Sequence, residues 1–269
     1  MDKNVLSTMF DNLLHIGNKT NFWNPKMKGY IYGSVNGIHV FNLIKTGAEL
    51  ENVKTSLRAL ASEGKKILFV ATKLQARDAF AKLATETGHY YVTEKWVPGL
   101  LTNFKTIKRR IATYMRLLKE SETGALDILT KKEKASRLLE LEKLDKAFGG
   151  LKEMKKIPDI VFAIDGAFEE QALREAKSLN LTAFAVLNTN GDPDMVEGFI
   201  PANTNAVKSL DYVAAELKSV LSGVKVSSVK PKNAINKIED TTEKKTVVKK
   251  ETTEVKAPAK KATTKKEEK

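Results

Sequence analysis

The sequence predicts an α/β domain, with helices on both faces of a parallel sheet. Three observations carry this. Short runs such as Ile67-Leu68-Phe69-Val70-Ala71 and Ile160-Val161-Phe162-Ala163-Ile164 are apolar without alternation, as in strands buried on both faces. Segments of helical period separate these runs, the order that builds parallel sheets. Between Pro98 and Gly150 the alternation is interrupted by two matched helical stretches. The division that follows is a body of residues 1–101 and 150–223, an inserted hairpin at 102–149, and a Lys-rich tail at 224–269.

Taken in order, residues 3–15 read as a short amphipathic helix through Val5, Met9, Leu13 and Ile16. Gly17 to Gly37 reads as a loop, rich in Asn and Gly, yet also carrying Phe22, Trp23, Lys26, Lys28, Tyr30 and Tyr32. Ile38 to Asn42 is a short strand. Thr46 to Ser62 is a helix with Leu50, Val53, Leu57, Leu60 and Ala61 on one side, closed by Gly64. The alternation then begins: strand 66–72, helix 74–87 ending at Gly88, strand 89–93, the interruption, strand 159–165, helix 168–179, strand 182–188, a loop at 189–194, strand 199–201 and helix 205–221.

In the interruption, Phe104, Ile107, Ile111, Tyr114 and Leu118 recur at spacings of 3, 4, 3 and 4, the seam of a coiled coil. Thr102 or Asn103 can cap this helix, and Glu120 to Gly124 ends it. Thr130-Lys131-Lys132-Glu133 has capping-box spacing and opens a second helix, whose apolar line is Ala135, Leu138, Leu141, Leu144 and Phe148. Each helix is roughly 28 Å long at 1.5 Å per residue. A short connection makes them an antiparallel pair that buries one stripe on the other. Lys105, Lys108, Arg109, Arg116 and Lys119 share the side away from the seam. Judged alone, that side is a solvated face; the alternative is a lever reaching for a large anionic partner.

Net charge is +13, with pI near 9.6, which favours a polyanionic partner. There is no cysteine, which excludes disulfides, thiolate zinc sites and cysteine nucleophiles in this chain and suits a reducing compartment. No apolar run approaches the length of a membrane span. Asp2 and Asp11 lie where a secretory leader would be apolar, so a soluble, intracellular chain is expected. Residues 224–269 hold 14 lysines, 7 acidic residues and no aromatic, a composition expected to be disordered.

Enzyme signatures are sparse. No glycine-rich phosphate loop follows a strand. Thr72-Lys73 at a helix start could hold one phosphate, but the pair is common by chance. His15, His39 and His89 are dispersed and none has a neighbour at metal-ligand spacing. Asn188 with Asp192 and Asp194 stands at a strand's carboxyl end and could hold Mg²⁺; Asn-Gly and Asp-Pro there are also ordinary turn formers, the favoured reading. Trp23, Lys26, Lys28, Tyr30 and Tyr32 mix π-faces with cations, as contacts to irregular RNA require; equally, the aromatics could tuck against the sheet.

Several stretches together resemble the family of the bacterial small-subunit ribosomal protein two. They are Leu14-His15-Ile16-Gly17-Asn18-Lys19-Thr20, Trp23-Asn24-Pro25-Lys26-Met27, Asn36-Gly37-Ile38-His39, Lys66 to Lys73, Trp96 to Thr106, Leu139 to Leu144, Ile157-Pro158-Asp159, Thr189 to Asp194, and Ile200-Pro201. They keep a consistent order over about residues 3–221. The chain departs from the family pattern at Asn18, Glu94-Lys95, Pro98, Lys155-Lys156 and Asn188.

The resemblance implies a Rossmann-like sheet with a protruding coiled-coil hairpin. It also implies a non-enzymatic, structural role in translation: a cytoplasmic protein of the small ribosomal subunit, between head and body, that binds ribosomal RNA and neighbouring ribosomal proteins without a cofactor. Some members help to dock the messenger-binding ribosomal protein one. On that reading the candidate RNA-binding residues are Trp23, Lys26, Lys28, Lys73, Arg77, Lys95, Lys105, Lys108, Arg109 and Arg110, with no catalytic or metal-ligating residue. Trp23 and Trp96 are expected to brace loops more than to stack on bases. The rival reading is a Rossmann-like enzyme binding a nucleotide or metal at the Thr72 and Asn188 strand ends.

Overall fold

A computed structural model of the chain describes residues 3–223. The tail expected at 224–269 lies outside the described residues. In chain order the elements are α1 (Lys3–Asp11), β1 (Ile16–Lys19), a 3-10 helix (Pro25–Tyr30), β2 (Ile31–Val35), β3 (Ile38–Phe41), α2 (Leu43–Ser62), β4 (Ile67–Val70), α3 (Arg77–Thr87) and β5 (Tyr90–Val92). There follow α4 (Phe104–Glu122), α5 (Lys131–Phe148), β6 (Ile160–Ile164), α6 (Glu170–Ser178), β7 (Thr182–Leu187), β8 (Gly198–Pro201) and α7 (Val207–Leu221).

Five strands form a parallel sheet in the order β5-β4-β6-β7-β8. Residues along each strand alternate between two cores. Ile67, Phe69, Ile160, Phe162, Ile164, Phe184 and Val186 meet Leu50, Leu57, Phe80, Leu210 and Leu217 from α2, α3 and α7. Leu68, Val70, Val161, Ala163, Ala183, Ala185 and Leu187 face Trp96, Leu101, Ile107, Phe148, Ala172 and Leu173. Filling both faces is why these strands read as unbroken apolar runs. The chain passes from β4 to β5 on one side and returns to β6 on the other, so the strand order reverses between β4 and β6, where sheets of this kind bind ligands.

The loop expected before β3 is not one. The loop read over Gly17–Gly37 contains β1, the 3-10 helix and β2, and β1-β3-β2 form a separate antiparallel sheet. Its strands are short and carry Gly17 and Gly33, so alternation is faint. The readable sign is Asn36-Gly37, with φ of 51° and 76°, the two-residue turn of a tight hairpin.

α4 buries Ile107, Ile111, Tyr114 and Leu117, with Phe104 and Leu118 half-buried. α5 opens with the expected capping box: the Glu133 amide donates to Thr130 Oγ1 and the Thr130 amide to Glu133 Oε2. The two helices pack together, and the Tyr114 hydroxyl donates to the Asp145 carboxylate. The contact covers only part of the expected line: Phe148 is buried and Leu141 and Leu144 are half-buried, whereas Ala135 and Leu138 are exposed. Neither expected cap serves α4. Asn103 makes no side-chain cap bond, and the Thr102 hydroxyl is committed elsewhere. Where the chain rejoins the body, a Cβ on Gly150 would lie 2.2 Å from Tyr91 O, so only glycine fits there.

Candidate nucleic-acid interface

The sheet's carboxyl crest is where an enzyme of this architecture would work, and here the chain fills it with its own side chains. The Thr72 amide and hydroxyl donate to Glu169 Oε1 at 2.8 and 2.5 Å. Glu169 is 3% exposed, and burial raises its pKa. Lys73 Nζ lies 2.6 Å from Asp165 Oδ2, which also accepts from the Thr204 hydroxyl at 2.8 Å. Asn188 Nδ2 donates to that hydroxyl at 3.2 Å. Asp165 itself sits at φ 70°, unusual for a non-glycine residue. The phosphate position considered at Thr72-Lys73 is therefore taken by two carboxylates, and α3 starts only at Arg77.

The Asp192–Asp194 loop holds a cation of the chain's own. Lys26 Nζ is 2.8 Å from Asp192 Oδ1 and 2.5 Å from Asp194 Oδ2. Asp192 also accepts from the Asp194 amide at 3.1 Å, as turn-forming aspartates do. Among the described residues no group of three or more His, Cys, Asp and Glu is placed to hold a metal ion.

The histidines serve three separate settings. His15 stacks on Phe10 at 4.2 Å, and burial lowers its pKa. Burial, aided by Lys66, lowers His89 to about 4, so it is neutral at pH 7. His39 lies 5.5 Å from the Trp23 ring.

Three of the sequence-derived RNA contacts thus already have anionic partners. Lys26 holds the two aspartates, Lys73 holds Asp165, and Arg77 Nη1 lies 3.1 Å from both carboxylate oxygens of Glu94. Lys28, Lys95, Lys105, Lys108, Arg109 and Arg110 are exposed and make no ion pair among the described residues. On α4, Lys105, Lys108 and Arg109 lie opposite the buried stripe and Arg110 on its flank.

Sequence reasoning missed Glu175. It is 4% exposed, and Oε1 accepts from Trp96 Nε1 at 3.0 Å and the Gly99 amide at 2.8 Å. Oε2 accepts from the Leu101 amide at 3.0 Å and from the Thr102 amide and hydroxyl at 3.3 Å each. One carboxylate therefore gathers the whole turn that launches α4. The available signal was a glutamate on the apolar side of its helix, beside Ala172 and Ala176.

A family model described as ribosomal protein S2 matches residues 9–223. The chain belongs to the ribosomal protein S2 family. Curated relatives agree. The small ribosomal subunit protein uS2 of Nostoc punctiforme is 41% identical over 216 residues, covering 80% of this chain and 82% of the relative. Its namesake from Coprothermobacter proteolyticus is 41% identical over 217 residues, 81% of each chain. The uS2c protein of Cyanophora paradoxa is 41% identical over 217 residues, 81% of this chain and 93% of the relative. The S2 match takes in both sheets and the α4–α5 pair. Within this S2 chain, Glu94 holds Arg77, Asn188 steadies Thr204, and Asn18 Nδ2 donates to Asn190 Oδ1 at 3.0 Å.

Proposed function

We propose that the chain is a structural, non-catalytic protein of the small ribosomal subunit, cytoplasmic and cofactor-free, that binds ribosomal RNA between head and body beside other ribosomal proteins. The observation that carries the RNA contact is the exposed, unpaired set Lys28, Lys95, Lys105, Lys108, Arg109 and Arg110 on a chain of net charge +13. Residues 1–101 and 150–223 act as the body. Residues 102–149 act as an antiparallel coiled-coil hairpin that carries four of these cations away from it. Lys26, Lys73 and Arg77 join the interface only as props, since their charge is spent within the fold. Support for a non-catalytic role comes from the sheet crest, where Glu169 and Asp165 occupy the ligand position that a nucleotide-binding enzyme would need open.

Cosedimentation tests the reading. The chain should travel with small ribosomal subunits, and its affinity for their RNA should fall by orders of magnitude from low to high salt. A flat salt response, or failure to associate with the particles, overturns it. Stoichiometric binding of a nucleotide or divalent metal by calorimetry would favour the enzyme alternative.

A further inference from the structure

The two tryptophans differ in exposure. Trp96 is buried and hydrogen-bonded to Glu175. Trp23 is 38% exposed, and Tyr32, on β2, is 80% exposed. Trp23, Lys28, Tyr32, Gly33, Ser34 and His39 line an open cavity of about 310 Å³ on the small antiparallel sheet. Ser34 pairs with His39 across β2 and β3, and the Trp23 ring lies over His39 at 5.5 Å and 52°. Neither ring nitrogen of His39 has a hydrogen-bond partner among the described residues. A Cβ on Gly33 would meet nothing within 4 Å, which leaves the floor open.

Among the described residues that line this cavity Lys28 is the charged one, and it is exposed and makes no ion pair there. An apolar ligand alone would not need that cation; a base with its phosphate would. Aromatic faces accept any base, and an ammonium at the rim takes the adjoining phosphate.

We propose that this cavity grips one unpaired nucleotide of an RNA strand, its base stacked on Trp23 and Tyr32 and its phosphate held by Lys28. This rests on the RNA-binding reading above and supplies the site that reading lacks for single-stranded RNA.

The test uses the full chain with two probes, a labelled single-stranded uridine octamer and an RNA duplex of equal length. Octamer binding should quench the emission of Trp23, and Trp23→Ala should abolish the quench, since Trp96 is buried. Tyr32→Ala, at a position too exposed to disturb folding, should weaken octamer binding about 5- to 100-fold and leave duplex binding unchanged. Trp23→Phe should retain most of the affinity. Lys28→Ala should lower the octamer's log–log salt slope by about 0.7. The pocket is refuted if Trp23→Ala and Tyr32→Ala bind the octamer as wild type does, or if they lose octamer and duplex alike. It is also refuted if the only defect is loss of a protein neighbour from assembled subunits. Wild-type binding of small-subunit ribosomal RNA is measured in parallel. If that binding fails while the octamer response persists, the ribosomal reading falls and the pocket stands; the opposite pattern retires the pocket alone.

Discussion

The indole of Trp96 donates to the carboxylate of Glu175 at 3.0 Å, joining the turn before α4 to a helix 79 positions further along the chain. Among the described residues Glu175 makes no ion pair; backbone amides, the Thr102 hydroxyl and the Trp96 indole stabilise its charge by hydrogen bonds. Replacing it leaves several buried donors unanswered. Glu175→Ala should cost more than about 3 kcal/mol in urea unfolding, and amide exchange should quicken first at Gly99, Leu101 and Thr102.

The same group predicts an acid limb. Burial works against ionisation, but the bonds from Trp96 and the Gly99, Leu101 and Thr102 amides outweigh it, so the carboxyl lies below its usual value near 4.5. With the folded pKa below the unfolded one, the stabilisation is complete above about pH 4.5 and is lost as pH falls through the folded value. Denaturation series between pH 3 and 7 should show a shallower acid limb in Glu175→Gln, from a lower plateau.

Glu169 has the opposite sign. Burial raises its pKa despite the opposing bonds from Thr72. The folded state therefore holds its proton more tightly, and this group's contribution declines as pH rises from the ordinary carboxylate range through the raised value. Glu169→Gln keeps an oxygen for the Thr72 amide, so it should match or exceed wild-type stability at pH 8 and fall relative to wild type at pH 4. Paired thermal melts at the two pH values check this.

The cations should separate into two groups. Lys73→Ala leaves Asp165, 5% exposed, buried without its ammonium, so a loss of about 3–5 kcal/mol in stability is expected. Lys105→Ala, Lys108→Ala and Arg109→Ala should leave the melting temperature within a degree or two of wild type. Each should reduce the log–log salt slope for ribosomal RNA by roughly 0.7 to 0.9 if it meets a phosphate.

Gly150→Ala should also be severe. The added carbon would lie 2.2 Å from Tyr91 O on β5, and a backbone atom cannot yield as a side-chain tip can. A loss above about 2 kcal/mol is expected, measured by chemical denaturation, with altered protease access to α4 and α5.

The parallel sheet was readable because burial on both faces leaves an apolar run, and α5's start because Thr130 and Glu133 are three residues apart. The antiparallel sheet was not, since β1 and β2 are short and glycine-containing; Asn36-Gly37 was its clearest trace. The fates of the cations were also hidden. Lys26 and Asp192 meet across 166 positions, and Lys73 and Asp165 across 92. No local pattern records such pairs, so spent and available lysines look alike in one dimension. The outer half of α5 misled for another reason: Ala135 and Leu138 keep the period although little covers them.

Both roots of the α4–α5 excursion meet the sheet at its rim: the chain departs after β5 and comes back at Gly150 beside Tyr91 on that strand. Nothing in the five-stranded sheet has to shift when turns of helix are added or removed at the far tip, around Gly124 to Leu129. The length of the helix pair can thus vary, by about 1.5 Å for each residue added to both helices, without rebuilding the sheet.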